Sequence, residues 1–278
     1  MNILKGRFGH IRPEALTDQG YIGAVFAHWV APGSATPFVD AVRMLSATIQ
    51  YLEALPACRI IRQPEDFTAR GLNILLGIEG GHIFDRDPHQ IEVLYDLGVR
   101  VFTLLWNNSN RLGHSALDND QRGLTAAGRS FLRAIAPYRI YLDLSHASTR
   151  TVVDVCGLAT NPVFASHSCV RALNPQFLRN INDEAAQAIT GRGGVIAVNF
   201  SNKHLGGRPV IEHIDYLKQR FGSGAVCIGS DFDGIDDPVI PAPDGVPQLA
   251  DDMRQRGYEA EEITGILSAN AIRFFSLG

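Results

Sequence analysis

Three observations predict an α/β fold of the TIM-type (β/α)8-like barrel class. Short apolar runs alternate with amphipathic helical stretches along almost the whole chain, the signature of parallel strands joined by crossover helices. The apolar runs finish on polar or ionisable residues, as strands do when their C-terminal ends line an active face. No repeat and no low-complexity linker divides the 278 residues, which are expected to form one barrel domain, 1–278.

The elements follow in order. Strands are expected at 22–30 (IGAVFAHWV), 73–79 (NILLGIE), 100–106 (RVFTLLW), 139–146 (RIYLDLSH), 162–167 (PVFASH), 194–200 (GVIAVNF) and 225–231 (AVCIGSD). Helices are expected at 37–54, 89–97, 126–136, 148–156 and 211–220, with Thr125, Ser148 and Asn182 as N-caps whose side-chain oxygens can take up free backbone N–H groups. GRGG at 191–194 reads as a helix end and turn, since a strand follows it. The Pro-, Asp- and Gly-rich stretch 233–250 reads as a long loop, and EEITGILSANAIRFF as a closing helix.

Composition narrows the function. A net charge of -4, with no basic block, excludes the usual nucleic-acid binder. No apolar stretch approaches the roughly 20 residues of a membrane span, and MNILKGRFGH lacks a signal core, so a cytoplasmic location is expected. Cys58, Cys156, Cys169 and Cys227 are too widely spaced for a thiolate metal motif and read as free thiols. A small-molecule substrate is the expected partner.

The stretch LLGIEGG carries the sharpest question. It drives Ile74, Leu75, Leu76 and Ile78 toward a core and then ends on Glu79, whose charge is costly to desolvate unless it is paired or bound. Glu79, Trp106, His146, His167, Asn199 and Asp231 all stand at or beside predicted strand ends. Imidazoles and carboxylates are suitable ligands for zinc, and a metal among Glu79, His146, His167 and Asp231 on one face would neutralise Glu79. Gly80 and Gly81 would let the backbone turn beneath it. His10, His89, His204 and His213 are expected in solvent, His28 in the core or lining a pocket, and His82 at the pocket. DFDG lacks the ligand spacing of a calcium loop.

These residues also carry a resemblance. IEGGHIF with I...YDLGVR, Ile78 through Arg100, followed by LDLSH, FASHS, LRNIND, VNF and GSDFDG, resembles the renal or membrane dipeptidases, a zinc peptidase family of the amidohydrolase-like barrels. By that resemblance, Glu79 matches a carboxylate bridging two zinc ions, His146 and His167 match the histidines of one zinc, and Asp231 matches the acidic residue at the reaction centre. Arg179 matches the arginine that holds the substrate carboxylate.

Two positions depart from the family. Trp106 and Asn107 stand where a substrate-contacting His is frequent, and no His-x-Asp motif, the family's first strand and source of the other zinc's ligands, occurs in MNILKGRFGH. The first barrel strand is therefore expected to be missing or replaced, with residues 1–5 or a second copy, as in a homodimer, covering the edge. One zinc is expected rather than two, with His10 or His28 as the ligands that could complete a second. The implied function is a dipeptidase-like metallohydrolase that cleaves dipeptides or similar small amides with a zinc-bound water, Asp231 shuttling the proton and Arg179, Trp106 and Asn107 contacting the substrate. The alternatives are a catalytically silent or one-metal relative that binds small molecules, and a lactone or lactam hydrolase.

Overall fold

The computed structural model describes residues 11–84 and 87–276. Seven strands form one parallel array. β1 (Gly23–Trp29) is followed by β2 (Cys58–Ile60), β3 (Leu72–Glu79), β4 (Val99–Thr103), β5 (Tyr141–Asp143), β6 (Val163–Phe164), β7 (Ile196–Val198) and β8 (Val226–Ile228). The spatial order is β1-β3-β4-β5-β6, continued through a parallel bridge between Ala165 and Ile196 to β7 and β8. β2 stands outside this order, pairing with the first residues of β3, Leu72–Ile74. It lies in a stretch with no marked apolar run, so the sequence pattern passes it over.

Strand alternation sorts the side chains into two cores. Residues facing outward, such as Ile74, Ile78, Phe102, Leu142 and Val198, pack with Leu45, Leu94, Phe131, Val155, Ile189 and Ile214 from the surrounding helices. Residues facing inward form a second cluster: Leu75, Val101, Tyr141, Phe164, Ala197 and Cys227, with Val25 packed against them. Every strand of the array contributes to this interior, and β1 and β8 contribute to the same one. The array therefore curls into a TIM-type barrel, although among the described residues no strand hydrogen-bonds to the outer edge of β1 or of β8. Phe274 and Phe275 from the last helix plug the interior and stack on Tyr141 and Phe164 at centroid distances of 4.9–5.4 Å.

β1 carries the mark of an edge. Only His28 of its seven residues is buried, against seven of eight in β3. Residues 1–5 and His10, expected to bear on that edge or on a second ion, lie outside the described residues. His28 belongs to the core, where its ring bonds to Gly77 O at 2.9 Å and Thr48 Oγ1 at 2.8 Å.

The helices follow the expected pattern, with Pro37–Glu53, Ile91–Asp96, Ala126–Ile135, Thr149–Leu158 and Val210–Phe221 near the predicted spans. All three N-caps form: Thr125, Ser148 and Asn182 accept from the N–H groups of Gly128, Thr151 and Ala185. Asp183–Thr190 ends at Gly191, with Gly193 at φ 76°, as the GRGG reading requires. Four expectations need correction. Except for β3, which keeps Glu79 in the ladder, the strands are shorter than their apolar runs, because the ladder ends before the run does. The 233–250 segment holds a 3-10 turn, Pro243–Gly245, and the start of the helix Gln248–Gln255. The closing helix is interrupted by one π turn, Gly265–Ala269, where Asn270 bonds outward to Ser223 O and Val226 O. His213 is fully buried, its ring taking Val170 N–H, and His204 is largely buried; neither is a solvated histidine.

No helix among the described residues is long and apolar enough to cross a membrane. Gly229 sits at the tightest point of the wall beneath the site: a Cβ there would lie 1.8 Å from Ser166 O and 2.8 Å from Ala197 Cβ. Gly229→Ala is expected to cost about 2–3 kcal/mol, read as a lowered urea midpoint with unchanged slope.

A three-ligand centre at the strand ends

The side-chain period of two that builds the inner core also builds the site. Going two residues on from Val101, Tyr141, Phe164 and Ala197 gives Thr103, Asp143, Ser166 and Asn199; going four on from Leu75 and Cys227 gives Glu79 and Asp231. The inner wall thus changes from apolar to polar at the C-terminal end of every one of these strands.

Glu79 meets two histidines that stand one residue beyond the inward positions Ser145 and Ser166. His146 Nε2 lies 2.9 Å from His167 Nε2 and 3.0 Å from Glu79 Oε1, and His167 Nε2 lies 3.5 Å from the same oxygen. Their ligand atoms all fall within 4.8 Å of one another. His146 reaches the point by a turn at φ 69°, a left-handed conformation that costs a non-glycine residue roughly 1–2 kcal/mol and that sets the side chain into the mouth. Asp231 does the same at φ 58°.

The partners of the far ring nitrogens decide which atoms carry protons. Asp143 is fully buried and accepts from Thr103 Oγ1, from Ser166 Oγ (both 2.7 Å) and from the backbone N–H groups of Ser145 and Ser166. Burial alone would raise its pKa, but the proximity of His167 and these donors outweigh it and hold the carboxyl below its ordinary value. With its proton given to Asp143, Ser166 Oγ must accept from His167 Nδ1 at 2.6 Å. On the other side, His146 Nδ1 donates to Asn107 Oδ1 at 2.9 Å. Burial pushes both imidazole pKa values down, that of His146 well below its ordinary value, which favours the neutral rings.

Each Nε2 therefore points a bare lone pair at the other and at Glu79. Three such acceptors in contact repel unless a proton or a metal cation joins them. Two neutral imidazoles and a carboxylate, each imidazole fixed from behind by a hydrogen-bonded partner, are the donor set of a divalent metal site. Glu79 has its pKa pushed up, chiefly by burial and further by the charge of Asp143, against the pull of His167. A cation at the shared point would reverse that balance.

Around this centre stand the other predicted residues. Asp231 accepts from Asn199 Nδ2 at 2.8 Å, and burial raises its pKa, His167 opposing and Glu79 adding. Arg179 is 3% exposed and is held by His167 O at 3.0 Å and Ser168 Oγ at 3.2 Å. Its Nε has no partner among the described residues, nor does any carboxylate lie in ion-pair range of the guanidinium. Trp106 packs on Trp29 at 4.9 Å and tilts over the His146 ring at 6.4 Å, while Asn107 spends its amide oxygen on His146. His82 sits beside the centre but bonds to Val30 O. Asp143, Ser166 and Thr103 escaped the sequence reading; the signal for Asp143 was a charge inside the apolar run RIYLDLSH.

Residues 18–277 match the model of the membrane dipeptidases, peptidase family M19. A protein of Klebsiella pneumoniae described as an uncharacterized protein in the pqqA 5'region is 34% identical over 79% of this chain and 86% of its own length. Dipeptidase 3 of Mus musculus is 28% identical over 96% of this chain, and an uncharacterized dipeptidase of Schizosaccharomyces pombe 31% identical over 75%. The matched part spans only 57% and 54% of those two proteins. Among solved structures, a metallopeptidase of Rhodobacter sphaeroides liganded with a phosphinate mimic of the dipeptide L-Ala-D-Ala superposes with a TM-score of 0.85 at 24% identity, covering 96% of this chain and 90% of that one. An amidohydrolase of Pseudomonas aeruginosa gives 0.84 at 21% identity, covering 96% and 93%. At these identities the superpositions speak to the fold.

Removing the carboxylate charge behind His167 tests the proton arrangement. Asp143→Asn should lower divalent-ion affinity by about 10- to 100-fold, measured by competition with a chromophoric chelator, while the fold persists by circular dichroism.

Proposed function

The chain belongs to the membrane dipeptidase family, peptidase family M19, and from that premise we propose that it is a metal-dependent hydrolase of dipeptides or similar small amides. The observation that carries this reading is the convergence of three ligand atoms, from Glu79, His146 and His167, at one point of the barrel mouth. The family contains dipeptidases, and the related structure with a dipeptide mimic bound has the same fold.

Zinc, one ion held by these three residues, is the metal we assign, and when bound it supplies Lewis acidity that lowers the pKa of water and polarises a carbonyl. The chain's own residues do the rest. Arg179, a buried cation lacking a carboxylate, docks the free carboxylate of the substrate with a planar fork suited to two parallel hydrogen bonds. That bond would satisfy the donors the fold leaves open. Asp231 has a raised pKa and stands within electrostatic reach of Glu79, His167 and Arg179, so it can carry a proton from the attacking water to the leaving amine. Asn199 fixes the orientation of that carboxyl. Asn107 keeps the proton of His146 on Nδ1, and Trp106 with Trp29 walls the mouth beside it.

The test is hydrolysis of Ala-Ala and of its C-terminal amide by protein stripped with chelator and reloaded with zinc. Cleavage that disappears on stripping and returns with zinc is expected; no cleavage of any dipeptide in a broad panel by the reloaded protein would move the chain to a small-molecule binding role. Arg179→Ala should raise KM for the free dipeptide about 10- to 100-fold and leave KM for the amide nearly unchanged, since only the carboxylate loses a charge-assisted pair.

A further inference from the structure

Arg179 lies in a segment with little regular structure, yet its backbone is gripped from both sides by one side chain. Arg171 Nε donates to Asn180 O at 2.8 Å and its Nη2 donates to Leu178 O at 2.6 Å, the two carbonyls that flank Arg179. The remaining donors reach Asp120, Nη1 to Oδ2 at 2.7 Å and Nη2 to Oδ1 at 3.5 Å. Asp120 is tied in turn to the start of the helix Thr149–Leu158, taking Thr149 N–H at 2.7 Å and Thr149 Oγ1 at 3.1 Å. That helix begins three residues after His146. A single chain of bonds therefore runs from the neighbourhood of a metal-binding histidine, through an ion pair whose side chains are each 15% exposed, to both sides of the substrate-docking arginine.

Charge gives the pair a second task. Arg171 and Arg179 line the same small cavity, together with Ser168, Asn180 and Thr149. Both guanidinium groups border this water-sized space, so each is a candidate to attract an anion brought near it. Asp120 neutralises Arg171 through a two-pronged contact, while among the described residues no carboxylate pairs directly with Arg179. The competing role of Arg171 is thereby closed, and its fork serves the backbone.

We propose that the Asp120–Arg171 ion pair is a positioning device for Arg179: it sets the guanidinium where a substrate carboxylate must arrive, and it keeps Arg171 from binding that carboxylate itself. This rests on the assignment of Arg179 as the carboxylate dock. Arg171 and Asp120 touch neither metal ligands nor substrate, so their effect passes through Arg179.

The experiment compares Arg171→Lys, Asp120→Asn and Arg179→Ala, each loaded with zinc, on Ala-Ala and on its C-terminal amide. Lysine keeps the charge opposite Asp120 but cannot bond two carbonyls and a carboxylate at once. KM for Ala-Ala is expected to rise at least fivefold in both Arg171→Lys and Asp120→Asn, with kcat within about threefold of wild type, KM for the amide unchanged and zinc content retained. If Arg179→Ala separates the two substrates but neither other variant does, the positioning role is wrong and the docking assignment stands. Equal losses on both substrates, or a loss of zinc, in both variants would make the pair a mere structural tie and overturn the proposal. If Arg179→Ala itself fails to separate the substrates, the docking assignment falls and the positioning role with it. Should one variant fail to accumulate as folded protein, the other decides.

Discussion

Everything at the barrel mouth depends on one buried carboxylate. Asp143 gathers four hydrogen bonds, two from hydroxyls and two from backbone amides, in a place where an unpaired charge would be untenable. With the carboxyl held below its ordinary pKa, the Ser166 hydroxyl turns toward it, the His167 proton is drawn to Nδ1, and the Nε2 lone pair faces the shared point. The same oxygens tie β4, β5 and the end of β6 together at the level of the site, so the electrostatic anchor is also a mechanical one. A histidine oriented in this manner arrives already in the tautomer and rotamer that coordination needs, and little freedom is lost when an ion binds.

Much of this was legible in the sequence, and the reason is geometric. Strand periodicity makes the inward face predictable once a strand is recognised, which accounts for Glu79 at the end of NILLGIE; the histidines closing LDLSH and FASH lie one residue off that period and announce themselves only by their place at the end of an apolar run. The N-caps were legible for a similar reason: Thr125, Ser148 and Asn182 act within one turn of themselves. The family pattern added Arg179, whose burial no local rule foretells, since an arginine after NPQFL looks like any surface cation.

What stayed hidden depends on contacts between distant segments. Asp143 reads as an intruder in a hydrophobic strand until Thr103 and Ser166 are seen around it. His213 and His204 read as surface residues because their own neighbours in sequence are polar; burial comes from the segments around Val170 and Phe177, some 30–40 positions earlier in the chain. Arg171 and Asp120 are 51 residues apart, and neither belongs to a recognisable motif. The pairing of β2 with β3 is likewise decided across a chain reversal. Local pattern specifies which face a residue takes, and topology alone specifies whom it meets.

The aromatic plug has a consequence for how the molecule comes into being. Phe274 and Phe275 fill the interior formed by strands that begin at residue 23, so the inner core is not complete until the last described helix is available. During synthesis from the N-terminus, the strands can pair and collect their outer helices while the centre is still unfilled. Until the helix bearing Phe274 and Phe275 docks, the strands enclose a lined but hollow space, with Tyr141 and Phe164 facing it. Docking of that helix, rather than of any earlier one, is the step that makes the centre solid.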